Sequence, residues 1–175
     1  MIVRRFDRLA AALAWISGLA AAAAVLGMLL HIGLEIVLRS VFVTSTFVLD
    51  EFVGYMVASM AFLGLAPTFR ARRHLRVTLR LDLLGPRGRR VAEAAALIVL
   101  IMLAAFLAHY FARAGIRLWR NGTVSQTVAE VPLWIPISIV AFGCANLAIQ
   151  AVSRLLLLLS GRISVEELNG SSPNG

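Results

Sequence analysis

Lysine is absent from this chain, and cysteine occurs once, at Cys144. All fixed positive charge rests on seventeen arginines, set against nine acidic residues for a net charge of +8. In a soluble protein that balance would suggest nucleic acid. Polar sequence is just as scarce, however. The longest polar stretch is 70–90, and 160–175 forms a polar tail ending Asn-Gly-Ser-Ser-Pro-Asn-Gly that is expected to be disordered. Neither can build a folded extramembrane domain, so the arginines must serve the rest of the chain and no nucleic-acid partner is expected. A lone cysteine excludes an internal disulfide, and inside an apolar stretch Cys144 is expected to be a small buried residue.

What the chain has instead is hydrocarbon. Hydrophobic residues make up 60% of it and the mean hydropathy is +0.86, too apolar for a chain that must present a soluble surface. The apolar residues gather in four stretches, about 9–38, 47–69, 91–112 and 132–159. Each meets or exceeds the ~20 residues a helix needs to cross ~30 Å of hydrocarbon. The expected fold is all-α: an integral membrane protein with four transmembrane helices in one domain, 1–160, followed by the polar tail 161–175. The first stretch resembles a signal peptide behind Arg4, Arg5 and Arg8. It runs well past the 7–15 residues of a signal core, so an uncleaved first helix is expected.

The arginines then orient the helices. Eleven lie before the first stretch or between the second and third, against Arg39, Arg113, Arg117 and Arg120 at the opposite ends. By the positive-inside rule both termini and the central loop face the cytoplasm. Within that loop, 74–84 alternates apolar and polar residues. It is expected to lie on the cytoplasmic surface, with leucines in the acyl boundary and arginines near anionic headgroups.

Charges inside or beside spans are the first candidates for function. His31, Glu35 and Arg39 share one face of the first helix at four-residue spacing. Asp50 and Glu51 open the second helix across a short loop. Arg39 is therefore expected to meet Asp50 and Glu51, with Glu35 nearby, in a cluster that staples the hairpin or docks a partner. A proton- or ion-coupling role for Glu35 is the sharper alternative. His31 and His109 fall in the outer parts of helices that run the same way, so two imidazoles could ligate a haem iron. Pro132 and Pro136 flank the start of the fourth helix, where a missing amide donor costs least. Trp134 between them suits an interfacial anchor. Asn146 and Gln150, four apart, could hydrogen-bond to a neighbouring helix, and Ala14/Gly18/Ala22 and Ala104/Ala108/Ala112 could permit close helix approach.

Several of these segments together resemble a known family. Val37-Leu38-Arg39-Ser40-Val41-Phe42, then Asp50-Glu51, Tyr55 and Phe62-Leu63-Gly64, are similar to the small membrane subunit of TRAP transporters, the DctQ type. So are the Arg-rich turn into His74-Leu75-Arg76-Val77, the run Ser125-Gln126-Thr127, and Pro132-Leu133-Trp134-Ile135-Pro136 with Gly143. The resemblance covers about residues 30–150. It implies a tripartite system in the bacterial inner membrane, in which a periplasmic binding protein captures an organic acid and a large membrane subunit imports it on a sodium gradient. It also implies that the small subunit is a non-catalytic scaffold without a cofactor. Arg39, Asp50, Glu51, Glu35, His74, Trp134 and Pro132 are then structural or partner-interface residues, and the partners are the large subunit, the binding protein and membrane lipids. The absence of an internal repeat agrees with a chain that holds no complete transport pathway. Two other readings stand beside it: a haem-bearing anchor of a respiratory enzyme, through His31 and His109, and a small proton-coupled exporter, through Glu35.

Overall fold

The computed structural model describes residues 2–71 and 86–160. Within them lie four helices: α1 (Ile2–Val41), α2 (Leu49–Arg70), α3 (Pro86–Arg120) and α4 (Trp134–Leu159). All four are long and apolar enough to cross a membrane, and no strand occurs among the described residues beyond an isolated bridge between Val124 and Pro132. The surface segment expected at 74–84 and the tail 161–175 lie outside the described residues.

Two helices run well past their apolar stretches. The 40 residues of α1 rise about 60 Å, twice the hydrocarbon thickness, and its start carries Arg5 and Arg8 beyond the leucine-rich part. Likewise α3 continues through Arg113 and Arg117 to Arg120. Arginine is a good helix former, so apolar sequence ends before helix does.

The packed pairs are α3 with α4, α1 with α2, α2 with α4 and α1 with α4. Thus α1, α2 and α4 form a three-helix core, and α3 lies against α4 on the outside. Two close approaches fix that core. A Cβ on Gly143 of α4 would fall 2.6 Å from the Phe62 carbonyl oxygen of α2, so only glycine lets these backbones touch. Between α1 and α2 the device is a proline. Pro67 has no N–H, which frees the carbonyl of Leu63 four residues earlier. The Ser17 hydroxyl of α1 donates to that carbonyl at 2.7 Å, and Gly18 beside it leaves room for the Pro67 ring. A freed carbonyl in hydrocarbon needs a donor, and α1 supplies it.

At the far end of α3 the chain turns in a Schellman cap. Thr123 N–H donates to Leu118 O and Gly122 N–H to Trp119 O, both at 3.1 Å, with Gly122 at φ +59°. The Asn121-Gly122-Thr123 triplet is thus a helix stop. Pro132 then closes the loop through its bridge to Val124, and α4 begins two residues later. At the end of α1, Val43 at φ 51° and Phe47 at φ 59° turn the chain sharply back into α2. Positive φ is strained for bulky side chains, so something must hold that loop.

Candidate functional site

Polar contacts gather at the two ends of the bundle. At the end that holds the start of α1, Arg70 grips Asp7 with both terminal nitrogens, at 3.0 and 3.1 Å. Ser153 of α4 donates to the same carboxylate at 3.0 Å, and Arg70 also reaches Gln150 Oε1 at 3.3 Å. Three helices meet on one ion pair. From there a polar ladder climbs between α1 and α4. Gln150 donates to Ala10 O at 2.7 Å and to Asn146 Oδ1 at 3.1 Å, and Asn146 donates to Leu13 O at 3.3 Å. Gln150, Asn146 and Ser153 are buried, so each hydrogen bond saves the desolvation cost of an unpaired amide or hydroxyl. The facing stripe on α1, Ala10, Ala14, Ser17 and Ala21, is buried as well. Its small side chains let α4 come close enough for these contacts.

At the loop end the acidic residues have separate tasks. Glu35 is 2% exposed and accepts from Arg39 Nε at 2.8 Å, from Thr46 N–H at 3.1 Å, from Thr46 Oγ1 at 2.7 Å and from the Ser45 hydroxyl. This carboxylate holds the strained α1–α2 loop over the end of its own helix. Glu51 instead accepts from Tyr55 at 2.5 Å, one turn along α2, and from the Thr127 hydroxyl in the α3–α4 loop. Ser125, beside Thr127, accepts Val131 N–H at 3.1 Å and shapes that loop.

The expected cluster of Arg39 with Asp50 and Glu51 is therefore divided. Arg39 pairs with Glu35, one helical turn away, while Asp50 is exposed and has no hydrogen bond or ion pair among the described residues. The reason is local. Ser45 and Thr46 bring their donors to Glu35, Arg39 is already on that face, and Glu51 points to the other loop. Trp134 opens α4 with its ring 6.3 Å from that of Trp119, and His74 lies outside the described residues. His31 packs on Phe52 at 5.8 Å, and its Nε2 is buried without a hydrogen bond. His109 is exposed on α3, which is not packed against α1, so the two histidines are not brought together. Among the described residues no three of His, Cys, Asp and Glu are grouped as metal ligands. Cys144 is buried within α4.

The two ends are one membrane apart. Arg70 and Glu51 stand nineteen positions apart on α2, as do Ser153 and Trp134 on α4, and each interval rises about 28 Å. Polar belts at that separation bracket a hydrocarbon core of ~30 Å. Chemically, the belts can staple helices and seat loops. Asp7, Glu35 and Glu51 each already have two or more donors, whereas Asp50 is exposed and has none among the described residues.

Comparison with known proteins agrees with the architecture. The model of the family described as "Tripartite ATP-independent periplasmic transporters, DctQ component" matches residues 28–161. The chain belongs to the DctQ family. The match takes in Glu35, Arg39, Glu51, Arg70 and the α4 ladder, while Asp7, Ala10 and Ser17 precede it. Neither a search of characterised proteins nor one of solved structures gave a match. A DctQ component is part of a multi-pass membrane transporter that works with a large membrane subunit and a periplasmic binding protein.

Sequence reasoning anticipated the interhelical hydrogen bonds of Asn146 and Gln150 but missed the ion pair beside them. Asp7 is the only acidic residue ahead of the first apolar stretch, and that was the available signal. Pro67 was a second signal, because a proline inside a span frees a carbonyl that some donor must satisfy.

Proposed function

We propose that this DctQ component is the non-catalytic scaffold of its transporter, holding the large membrane subunit in place while that subunit carries the substrate. The observation that supports this reading is the engagement of the belt carboxylates. Asp7, Glu35 and Glu51 bind neighbouring helices and loops, so the carboxylates held by donors in this bundle serve packing and loop seating, while Asp50 stands exposed at the start of α2. The transporter served is a sodium-driven importer of organic acids, of the C4-dicarboxylate, keto acid or sialic acid class, in the bacterial inner membrane. Both termini face the cytoplasm, in keeping with the arginine distribution.

Reconstitution tests the reading. Proteoliposomes holding this chain alone take up no organic acid under a sodium or proton gradient. Those holding it with the large subunit take up substrate when a loaded binding protein is added outside, and omission of this chain abolishes that uptake. Transport by this chain alone, lost in Glu35→Gln, would replace the scaffold with an exporter.

A further inference from the structure

At the loop end of the bundle α3 and α4 part to leave a groove of about 310 Å³, in which Ala112, Ile116 and Trp119 of α3 face Trp134, Ser138 and Ala141 of α4. The Ser138 hydroxyl is spent within its own helix, donating to Trp134 O at 2.6 Å, and the other walls are apolar or aromatic. On α4 the wall lies inside the apolar stretch 132–159. On α3 it begins at Ala112, the last residue of the stretch 91–112, and runs on into the arginine-bearing end of the helix. The groove therefore crosses from apolar to polar sequence. The two tryptophan rings, 6.3 Å apart, stand at its loop end, as aromatic rings do where hydrocarbon meets water. Each arginine at this end of α3 directly follows a wall residue: Arg113 after Ala112, Arg117 after Ile116 and Arg120 after Trp119. One position along a helix turns about 100°, so all three arginines line the same edge of the groove, the edge away from α4. All three are exposed and have no hydrogen bond or ion pair among the described residues, whereas Arg39 at the same end is paired with Glu35.

Apolar walls, an aromatic mouth and one basic edge are complementary to an amphipathic anion. We propose that the groove holds one anionic phospholipid, with an acyl chain against Ala112 and Ala141 and the phosphate on the edge formed by Arg113, Arg117 and Arg120. Guanidinium groups bind phosphate oxygens through paired, charge-assisted hydrogen bonds, and three unpaired ones along a single edge supply them. Size argues against a protein helix in the same place. A helix with its side chains is about 10–12 Å across, and the length that reaches from Trp119 to Ala112 would need more than about twice the volume of the groove. A free phosphate would use the arginines and leave the apolar walls unfilled. A neutral lipid would fill the walls and leave three guanidinium groups without an anion. This inference goes beyond the scaffold reading and stands without it.

The test is native mass spectrometry of the full chain in neutral detergent, titrated with phosphatidylglycerol and with phosphatidylcholine of the same acyl chains. The wild type retains one phosphatidylglycerol at least about tenfold more tightly than phosphatidylcholine. The triple variant Arg113→Gln, Arg117→Gln, Arg120→Gln loses that preference, to less than about twofold. Ala112→Trp, which fills the groove from its exposed wall, weakens both lipids alike. Both variants keep wild-type helicity and melting temperature in lipid-free detergent, because the altered positions are exposed and the arginines hold nothing within the bundle. Glycerol phosphate, which has the charge without the chains, does not displace the bound lipid. A photo-crosslinking residue at position 116, introduced in whole membranes, labels phospholipid. Equal retention of the two lipids by the wild type overturns the inference, as does a preference that survives the triple variant or binding that is indifferent to Ala112→Trp. Displacement by glycerol phosphate would show a site for a free anion, and labelling of protein in place of lipid would show a subunit contact; either outcome overturns it as well.

Discussion

Helices α3 and α4 are both apolar enough to span a membrane, yet they stand at opposite extremes of burial. α3 has the more hydrophobic span and the more exposed one, with Val99, Met102, Leu103 and Phe106 all open. α4 touches every other helix and buries Asn146, Gln150, Ser153 and Gly143. In water the ranking would be reversed, because apolar surface drives burial there. Lipid tails are as apolar as leucine, so hydrophobicity gives a spanning helix no reason to prefer protein. Close backbone approach and interhelical hydrogen bonds decide instead. The most polar and glycine-marked face of the chain is therefore its interior, and its greasiest helix lies outermost.

Removing the close approach should break this contrast most severely. Gly143→Ala forces a methyl group into the Phe62 carbonyl, and its backbone cannot yield without parting α2 from α4. Destabilisation of about 2–3 kcal/mol is expected, read as a lower melting temperature in detergent. Gly115→Ala, between α3 and α4, is the matching control. Its new Cβ meets the Ser138 hydroxyl at 3.4 Å, a tight contact with a side chain that can rotate, so the loss should be under about 1 kcal/mol. Equal effects from the two would mean that the α2–α4 contact is not special.

Next in size is the ion pair that draws α1, α2 and α4 together. Asp7→Asn and Arg70→Gln should each cost about 1–2 kcal/mol, discounted because both side chains are about a third exposed. In the double variant the losses should not add, since each single change already breaks the same contact. Simple additivity would show that the pair is not coupled in the folded bundle.

The smallest effect is also the most specific. Ser17→Ala should cost roughly 0.5–1 kcal/mol by leaving the Leu63 carbonyl unpaired. In a Pro67→Ala background the helix supplies its own N–H to that carbonyl, and Ser17→Ala should then cost close to nothing. A Ser17 effect that persists without Pro67 would mean the hydroxyl acts in some other way.

The sequence made the helix count and the family legible, because four apolar stretches and an ordered set of short motifs survive without any knowledge of packing. Helix ends were less legible. Arg5, Arg8, Arg113, Arg117 and Arg120 leave the apolar pattern but continue the helix. The pairing of carboxylates was legible only as proximity. Glu35, Arg39, Asp50 and Glu51 lie near one short loop, and the donors that sort them, Ser45, Thr46 and the distant Thr127, depend on loop path. Asp7 and Arg70 are 63 residues apart, and no local pattern joins them. Asn146 and Gln150 could be read because a polar pair four residues apart in a span demands a neighbour, whichever helix that is.

Polar contacts, not apolar content, hold α4 at the middle of the bundle. The most direct measurement is the thermal unfolding of the double variant Asn146→Leu with Gln150→Leu, in detergent micelles and in bilayers. The change makes α4 more hydrophobic, as α3 is, while removing its hydrogen bonds to Ala10 and Leu13 of α1. Stability should fall by about 1–2 kcal/mol, and α1 should pack more loosely against α4. A melting temperature that holds or rises, with α1 and α4 still in contact, would contradict it.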